Sequence, residues 1–299
     1  MSSIDSLSVV VPSYNGGAQL SDCLRSIVSQ STSMDVEVVV VDDGSTDGSV
    51  ERAKASYPAI TVVSTQHLGC DGARQAGMDA AGGRVIANTD ADCIVADTWL
   101  QGIAEGLEAG AAAVTGPVIH QRDLLSSLVA VTDFPEFQSF TAKLIRNFPG
   151  CNFAVKRESL QRHGYKIRQL NCGADRVLAW RLSRDGSRIA YDPRVAVYHY
   201  PSVRALGMLK RHRRYAVTAM SIRRLDKSLP GGLLAPLGRM AAPAYCGARW
   251  VRDLQTLGLL VRQRRASYRL IPALLWWVSI LRAFDLAFML HGGSREVTG

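Results

Sequence analysis

Short β-branched runs alternate with helical stretches along the first 118 residues. Leu7–Val11, Val36–Val41, Ile60–Val63, Val85–Ala87 and Ala111–Thr115 are almost uninterrupted in their apolar character, which predicts strands buried on both faces. Between the first two, Leu20, Cys23, Leu24, Ile27 and Val28 recur at helical spacing and give one apolar face. Ser49–Tyr57, Cys70–Ala81 and Thr98–Ala109 predict further helices. Such alternation predicts an α/β fold, a mainly parallel sheet covered by helices on both sides. Beyond it, Asn152–Val155, Arg188–Tyr191 and Val195–Tyr198 predict a second set of strands, with a helix over Ala174–Arg184. Tyr200–Leu225 predicts a long basic helix, ended by Ser228-Leu229-Pro230-Gly231-Gly232 with Pro236 and Gly238 beyond, a linker. The pattern divides the chain at about 118 and 200: two halves of one domain, 1–118 and 119–200, and a helical C-terminal extension, 201–299.

Charge sharpens that division. The 299 residues carry a formal net charge of +9, 47% hydrophobic and 20% charged residues, the balance of a globular chain. Residues 1–118 hold 5 Lys/Arg against 15 Asp/Glu, a net of −10. Residues 119–199 hold 13 basic and 7 acidic side chains, and 200–299 hold 17 and 4, nets of +6 and +13. An acidic front suits a cation, and a basic rear suits an anionic partner. The six cysteines are scattered, with no sequence pairing that suggests a zinc site. Met1–Ser6 is polar and Leu7–Val11 is too short for a secretory signal, so a cytoplasmic location is expected. The longest apolar run, Leu270–Leu281, contains Pro272 and is followed by Arg282 and Asp285. A span needs about 20 apolar residues, so this run predicts a buried or interfacial helix.

Ligands of parallel sheets gather at the carboxyl ends of the strands. Three polar turn-forming clusters fall there: Pro12-Ser13-Tyr14-Asn15-Gly16, Asp42-Asp43-Gly44-Ser45-Thr46-Asp47 and Asn88-Thr89-Asp90-Ala91-Asp92. Two carboxylates two residues apart at a strand end suit a hard divalent cation, which prefers oxygen ligands. The alternative for Asp90 and Asp92 is a pair of loop caps. Asp47 reads as a helix cap, while Asp42 or Asp43 offers an acceptor to a nucleoside.

The order Val-Val-Val-Pro-Ser-Tyr-Asn, Val-Val-Val-Asp-Asp-Gly-Ser-Thr-Asp, Gly-Ala-Arg-Gln-Ala-Gly and Asn-Thr-Asp-Ala-Asp resembles the family-two glycosyltransferases of GT-A (Rossmann-like) fold. The resemblance continues through Gly150-Cys151-Asn152-Phe153-Ala154-Val155-Lys156-Arg157 to Gly173-Ala174-Asp175 and Arg181-Leu182, covering about the first 200 residues. It implies a nucleotide-sugar-binding half in 1–118 and an acceptor-binding half in 119–200. Pro12, Tyr14 and Asn15 would lie along the nucleoside, and Asp43 would bind its base or ribose. Arg74 would approach the base or the diphosphate, with a surface salt bridge as its alternative. Asp90, with Ala91 beside it, would hold the ribose or reach the metal through water. Asp92 would bind the metal, Mn²⁺ or Mg²⁺, directly, and His199 is a candidate third ligand whose alternative is a packed residue. Asp175 would be the general base of an inverting, single-displacement transfer; its alternative is an acid favoured by a helix N-terminus. The family usually shows a Glu-Asp pair here, and this chain has Ala174-Asp175.

The expected donor is a UDP-, GDP- or dTDP-linked sugar, and the expected acceptor a glycan or lipid-linked hydroxyl. Lys210-Arg211-His212-Arg213-Arg214, interleaved with Leu206, Leu209 and Tyr215, either closes over the diphosphate or lies on anionic headgroups. Arg262, Arg264, Arg265 and Arg269, followed by Trp276 and Trp277, favour a membrane surface, hence peripheral binding to the inner face of the cell membrane. A nucleotidyltransferase would carry a basic Gly-rich loop after the first strand, and Pro12–Gly17 has no basic residue. A nucleic-acid binder is disfavoured by the acidic front. A degenerate relative that binds donor without turnover is the remaining alternative, motivated by Ala174.

Overall fold

The Val-rich runs become the middle of an eight-stranded sheet. In the computed structural model, which describes residues 4–141, 143–165, 172–201, 207–215, 240, 242–263 and 265–291, the strands are β1 (Ser6–Ser13), β2 (Asp35–Asp42), β3 (Thr61–Ser64), β4 (Val85–Thr89), β5 (Cys93–Val95), β6 (Ala113–Thr115), β7 (Val118–His120), β8 (Lys143–Ile145), β9 (Asn152–Lys156), β10 (Ile189–Tyr191) and β11 (Val197–His199). The main sheet runs β3-β2-β1-β4-β9-β6-β10-β8, and a second sheet runs β5-β11-β7. Pairs β1/β2, β2/β3, β1/β4 and β6/β10 are parallel. β9 returns antiparallel between β4 and β6, and β8 is an antiparallel edge, so the sheet is mixed though mostly parallel. Helices α1 (Gly17–Val28), α2 (Ser49–Ser56), α3 (Gly69–Ala80), α4 (Trp99–Glu108), α6 (Arg157–His163) and α7 (Ala174–Arg184) accompany it.

Two differences from the pattern have physical reasons. β4 continues through Asn88 and Thr89, polar residues that pair opposite Phe153 and Asn152 and are fully buried. Strands β5, β7 and β8 are three residues each, too short for an alternation to register. On one face of the sheet, Val10, Val39, Val41, Ile86 and Phe153 pack with Ala73 and Met78 of α3 and Leu178 and Leu182 of α7. α3 approaches closely because Gly77 has no side chain: a Cβ there would lie 2.4 Å from Val10 Cγ1. This seats the carboxyl half of α3 directly on β1 and β2.

Contacts divide the chain into two units. The first comprises Met1–Val118, Ser139–Ile167 and Gly173–His199; the second comprises Ile119–Gln138, Arg168–Cys172 and Tyr200–Gly299. The segment after residue 118 thus belongs with the C-terminal helices. Its α5 (Leu124–Thr132) buries Leu128, Val129 and Val131 in one cluster with Met208 of α8 (described over 207–215), Leu257 and Leu260 of α9 (Ala242–Arg262), and Leu274, Val278 and Leu281 of α10 (Ile271–His291). Leu206, Arg264, the basic helix beyond 215 and the expected linker at Ser228–Gly232, Pro236 and Gly238 lie outside the described residues.

Charged side chains of these helices turn inward. Arg282 donates to Asp253 and Asp285, 2.6 Å in each case, and His212 lies between Asp133 (3.7 Å) and Asp285 (3.5 Å). Arg211 reaches Asp133 at 3.1 Å. Tyr268–Ala287 is, among the described residues, the one helical stretch long and apolar enough to cross a membrane by length and composition. It extends the apolar run Leu270–Leu281 at both ends and takes in Arg282 and Asp285.

Candidate active site

The chain leaves β4 through a tight turn. Cys93 N donates to the Asp90 carbonyl at 3.0 Å, so Asp90, Ala91 and Asp92 form the corner from which β5 departs. β5 pairs antiparallel with β11 in a register that puts Cys93 opposite His199. That pairing brings His199 Nε2 to 3.3 Å from Asp92 Oδ2. Ligand atoms of Asp92, Cys93 and His199 all lie within 4.8 Å of one another. A carboxylate and an imidazole suit a divalent cation that keeps positions for water and phosphate. The Cys93 thiol is a weaker candidate: burial and a hydrogen bond with Cys151 hold its pKa well above the ordinary range, so it stays protonated. Two cysteines with no sequence pairing are therefore neighbours beneath the corner.

Asp90 stands apart from those three ligands. Its Oδ1 accepts from Arg74 Nη2 at 2.6 Å, and Arg74 Nη1 reaches Asp71 Oδ1 at 3.3 Å. Arg74 is 6% exposed, so its pairing is a buried one and not the surface bridge the sequence allowed. Burial opposes its charge, and Asp90, Asp71 and the other groups around it together overcome that and raise its pKa, keeping the guanidinium protonated. Gly150 makes room for it: a Cβ there would lie 2.6 Å from Arg74 Nη1. Ala91 occupies the turn itself, close to Gly16.

The loops after β1 and β2 are laced together. Asn15, at φ 52°, accepts from Thr46 N at 2.8 Å through its side chain and donates its own N–H to Ser45 Oγ at 2.9 Å. Asp47 accepts from Ser49 N at 3.0 Å and from Gly17 N at 3.0 Å, while the N-cap position of α2, expected of Asp47, falls to Gly48. Asp43 is buried, and its carboxylate accepts from Thr65 Oγ1 (2.6 Å), Leu68 N (2.6 Å) and Gly69 N (2.9 Å). It thereby fixes the loop that leads into α3. Pro12, expected along a nucleoside, is buried within β1 opposite Val41. Tyr14 is 54% exposed, and its ring lies 4.5 Å from that of His67. His67, also at positive φ (54°), escaped the sequence reading because a lone loop histidine carries no signal of its aromatic neighbour.

Asp175 occupies the first turn of α7 and is partly exposed. Burial raises its pKa, and Asp71 nearby raises it further, against lowering contributions from Arg74 and Arg176. Asp71 is the second residue that sequence reasoning missed. It looks like an ordinary acid at the start of α3, yet it is 3% exposed. Its Oδ2 accepts from Ala174 N at 2.9 Å, and Tyr165 Oη donates to Oδ1 at 3.4 Å. The arrangement offers a cation corner, a guanidinium behind it, and a carboxylate with raised proton affinity.

The sequence profile described as Glycosyl transferase family 2 matches residues 8–164. An uncharacterised glycosyltransferase of Nostoc is 36% identical over 196 residues, 60% of this chain and 57% of that protein. Another from Escherichia coli is 37% identical over 95 residues, 31% of this chain and 27% of that one. The matched stretches thus span between about a quarter and just over half of these relatives' own lengths. Among solved structures, a mannosyltransferase from Pyrobaculum calidifontis, in complex with GDP-Man and Mn²⁺, superposes with a TM-score of 0.61 at 24% identity, covering 95% of this chain and 86% of that one. The shared architecture is the GT-A fold, a mixed sheet flanked by helices with C-terminal helices appended. With more than half of its length matched by the family profile, the chain belongs to glycosyl transferase family 2.

Proposed function

We propose that this protein transfers a monosaccharide from a nucleoside diphosphate sugar to an acceptor hydroxyl, with inversion, assisted by Mn²⁺ or Mg²⁺. One observation carries the reading. Buried Arg74 ties Asp90, in the turn that also holds Asp92, to Asp71, whose carboxylate meets the first residue of the helix bearing Asp175. Cation corner and base belong to one site. The neighbour that binds GDP-Man and Mn²⁺ supports a nucleotide-sugar donor and a divalent metal.

Asp92 and His199 would hold the cation, which supplies positive charge against the diphosphate as the nucleotide leaves. Tyr14 and His67 offer an exposed aromatic surface to the nucleoside base. Asp90, held by Arg74, faces the ribose. Asp175 accepts the proton of the acceptor hydroxyl as its oxygen attacks the anomeric carbon. The bond from that carbon to the diphosphate oxygen breaks, and its electron pair leaves with the nucleoside diphosphate. One base and one displacement invert the anomeric centre. The sugar is left open: similar stretches occur in an N-acetylglucosaminyltransferase of Bradyrhizobium elkanii (34% over 99 residues) and a cholesterol galactosyltransferase of Borreliella burgdorferi (32% over 98 residues).

A screen of UDP-, GDP- and dTDP-sugars on the purified chain tests this, read as binding and slow hydrolysis with Mn²⁺, with Mg²⁺ and with chelator. The expected outcome is one donor class bound with metal and lost in Asp92→Ala. A folded protein that binds no donor under any of these conditions would overturn the proposal.

The C-terminal unit supports a membrane-bound acceptor, and with it peripheral binding to the cytoplasmic face of a membrane. Each of α9 and α10 has 21 residues, about 30 Å of helix. Their most exposed positions between the ends, among them Trp250, Val251, Leu275, Trp276, Ala283 and Ala287, carry no charge, and the part-exposed Arg252 of α9 is turned to Asp253 at 3.7 Å. Arg262 and Arg269 stand exposed near the connection between the two helices. An uncharged face edged by arginines suits an anionic bilayer surface. Co-sedimentation with phosphatidylglycerol vesicles at low salt is expected, weakened in Trp276→Ala; no binding at low salt overturns it.

A further inference from the structure

Gly173 precedes α7 and has no side chain with which to cap it, and Ala174, the first helical residue, brings no carboxylate. The cap comes from another helix. Asp71 of α3 reaches across to the Ala174 amide at 2.9 Å, supported by Tyr165 Oη (3.4 Å) and by Arg74 (3.3 Å). Asp71, Arg74 and Tyr165 are all at least nine-tenths buried. A buried carboxylate tolerates few orientations, so this contact fixes where the first turn of α7 sits relative to α3. That turn carries Asp175.

We propose that Asp71 is a positioning residue for the acceptor base: it holds the amino end of α7 in place and sets a second negative charge beside Asp175, which position 174 does not supply. The inference rests on the reading of Asp175 as base. The charged groups facing Asp175 are Asp71 and Arg74 from α3 and Arg176 from its own helix. Cys70 and Tyr165 also lie near it, and burial pushes both the thiol and the phenol up, so both are neutral. Asp71 is therefore the one negative neighbour among these groups. A carboxylate beside another negative charge holds its proton more tightly, which makes Asp175 a stronger base. A plain helix cap would need only an oxygen at position 71, whereas this role needs the charge as well.

Asp71→Asn keeps an oxygen for the Ala174 N–H while its amide nitrogen turns towards Arg74 and Tyr165, removing the charge and the Arg74 ion pair but not the cap; Asp71→Ser offers a smaller cap if Asn does not fold. The readout is hydrolysis of whichever nucleotide sugar turns over with Mn²⁺ in the donor screen. In Asp71→Asn, affinity for the nucleoside diphosphate with Mn²⁺ is expected within about twofold of wild type, while kcat falls about three- to tenfold and the acid limb of the pH profile moves to lower pH. Asp71→Ala, which removes the cap too, is expected to lose about 10- to 100-fold in kcat with donor KM little changed. An unaltered rate and acid limb overturns the proposal, and so does a loss of nucleotide affinity as large as the loss of rate. A second measurement needs no turnover: the ¹³C resonance of the Asp175 carboxyl, assigned with Asp175→Asn, titrates at lower pH in Asp71→Asn than in wild type. Identical titrations overturn the inference. If no donor binds while the titration shifts, the transferase reading fails and the placement of Asp71 stands.

Discussion

Two buried arginines in this protein each lie between two aspartates, and they do different work. Arg282 joins Asp253 to Asp285, with both carboxylates at 0% side-chain exposure, and His212 continues the chain of contacts to Asp133. Every member of that cluster is sealed among apolar residues of α5, α8, α9 and α10. Arg74 joins Asp71 to Asp90, but the Asp90 side chain is 25% exposed at the rim of the site. A closed cluster can neutralise charge and fix a packing arrangement. One with an open end can hand its electrostatics to a ligand. Burial of the cation alone does not separate a structural ion network from a functional one; the exposure of its last carboxylate does.

The contrast can be broken in four ways, the largest effect first. Asp175→Asn at the open site is expected to lower kcat by about 10²–10⁴ while nucleotide binding persists, measured by transfer or donor hydrolysis alongside calorimetry. Full activity would remove the base from the scheme. Arg282→Leu in the closed cluster removes the cation hydrogen-bonded to two buried aspartates, leaving Asp285 only Arg249 and His212 at 3.5 Å and Asp253 only Arg252 at 3.7 Å, and is expected to cost about 3–5 kcal/mol in denaturant unfolding, with donor affinity unchanged at low denaturant.

Gly150→Ala tests the packing behind Arg74. The new methyl meets a guanidinium fixed by two ion pairs, and overpacking of this kind costs about 1–3 kcal/mol. Loss of donor binding together with stability is expected here, since Asp90 moves with its partner. The pH dependence is the subtlest. The Asp175 carboxyl is raised by burial and by Asp71, so activity is expected to fall on acidification at a pH above the ordinary carboxylate range, because the base must be ionised. Stability runs the other way. A carboxyl whose folded pKa exceeds its unfolded one adds stability that is fully present below the unfolded pKa and is lost as pH rises through the folded pKa. Other carboxyls, Asp133 and Asp192 among them, are held low and act on stability in the opposite sense, so the Asp175 contribution is read as the difference between wild type and Asp175→Asn: the thermal midpoint of wild type relative to the variant is expected to fall as pH rises through the window in which activity rises.

Much of the first unit was legible in the sequence for a simple reason. Strands such as Leu7–Val11 and Val38–Val41 are buried on both faces, and a run of mostly branched apolar residues meets that demand, with buried Ser8 satisfied by Glu37. Asp92 was legible from its spacing with Asp90 at a strand end, and His199 only through the order of motifs. Their meeting depends on the antiparallel register of β5 with β11, and β5 is too short to announce itself. Asp43 and Asn15 stood out as polar residues at strand ends, yet much of their hydrogen-bonding capacity ties loop to loop. Asp71 and His67 were invisible for the opposite reason. Each is an unremarkable residue whose role is defined by a partner far away in the chain, Ala174 and Tyr14 respectively; Gly150 stood in a motif, but its place against Arg74 was equally hidden.

The hydrogen bond from Ala174 to Asp71 has a consequence for how relatives of this chain are sorted. A search that scores the local letters at 174 and 175 finds one acid where two are usual, and would file the protein with the inactive. Yet a second carboxylate stands at the same helix end, supplied by a residue about a hundred positions earlier. The charge of this corner is a property of place and not of a motif. Chains that lack an acid at one of these two positions are best compared by asking what occupies the other.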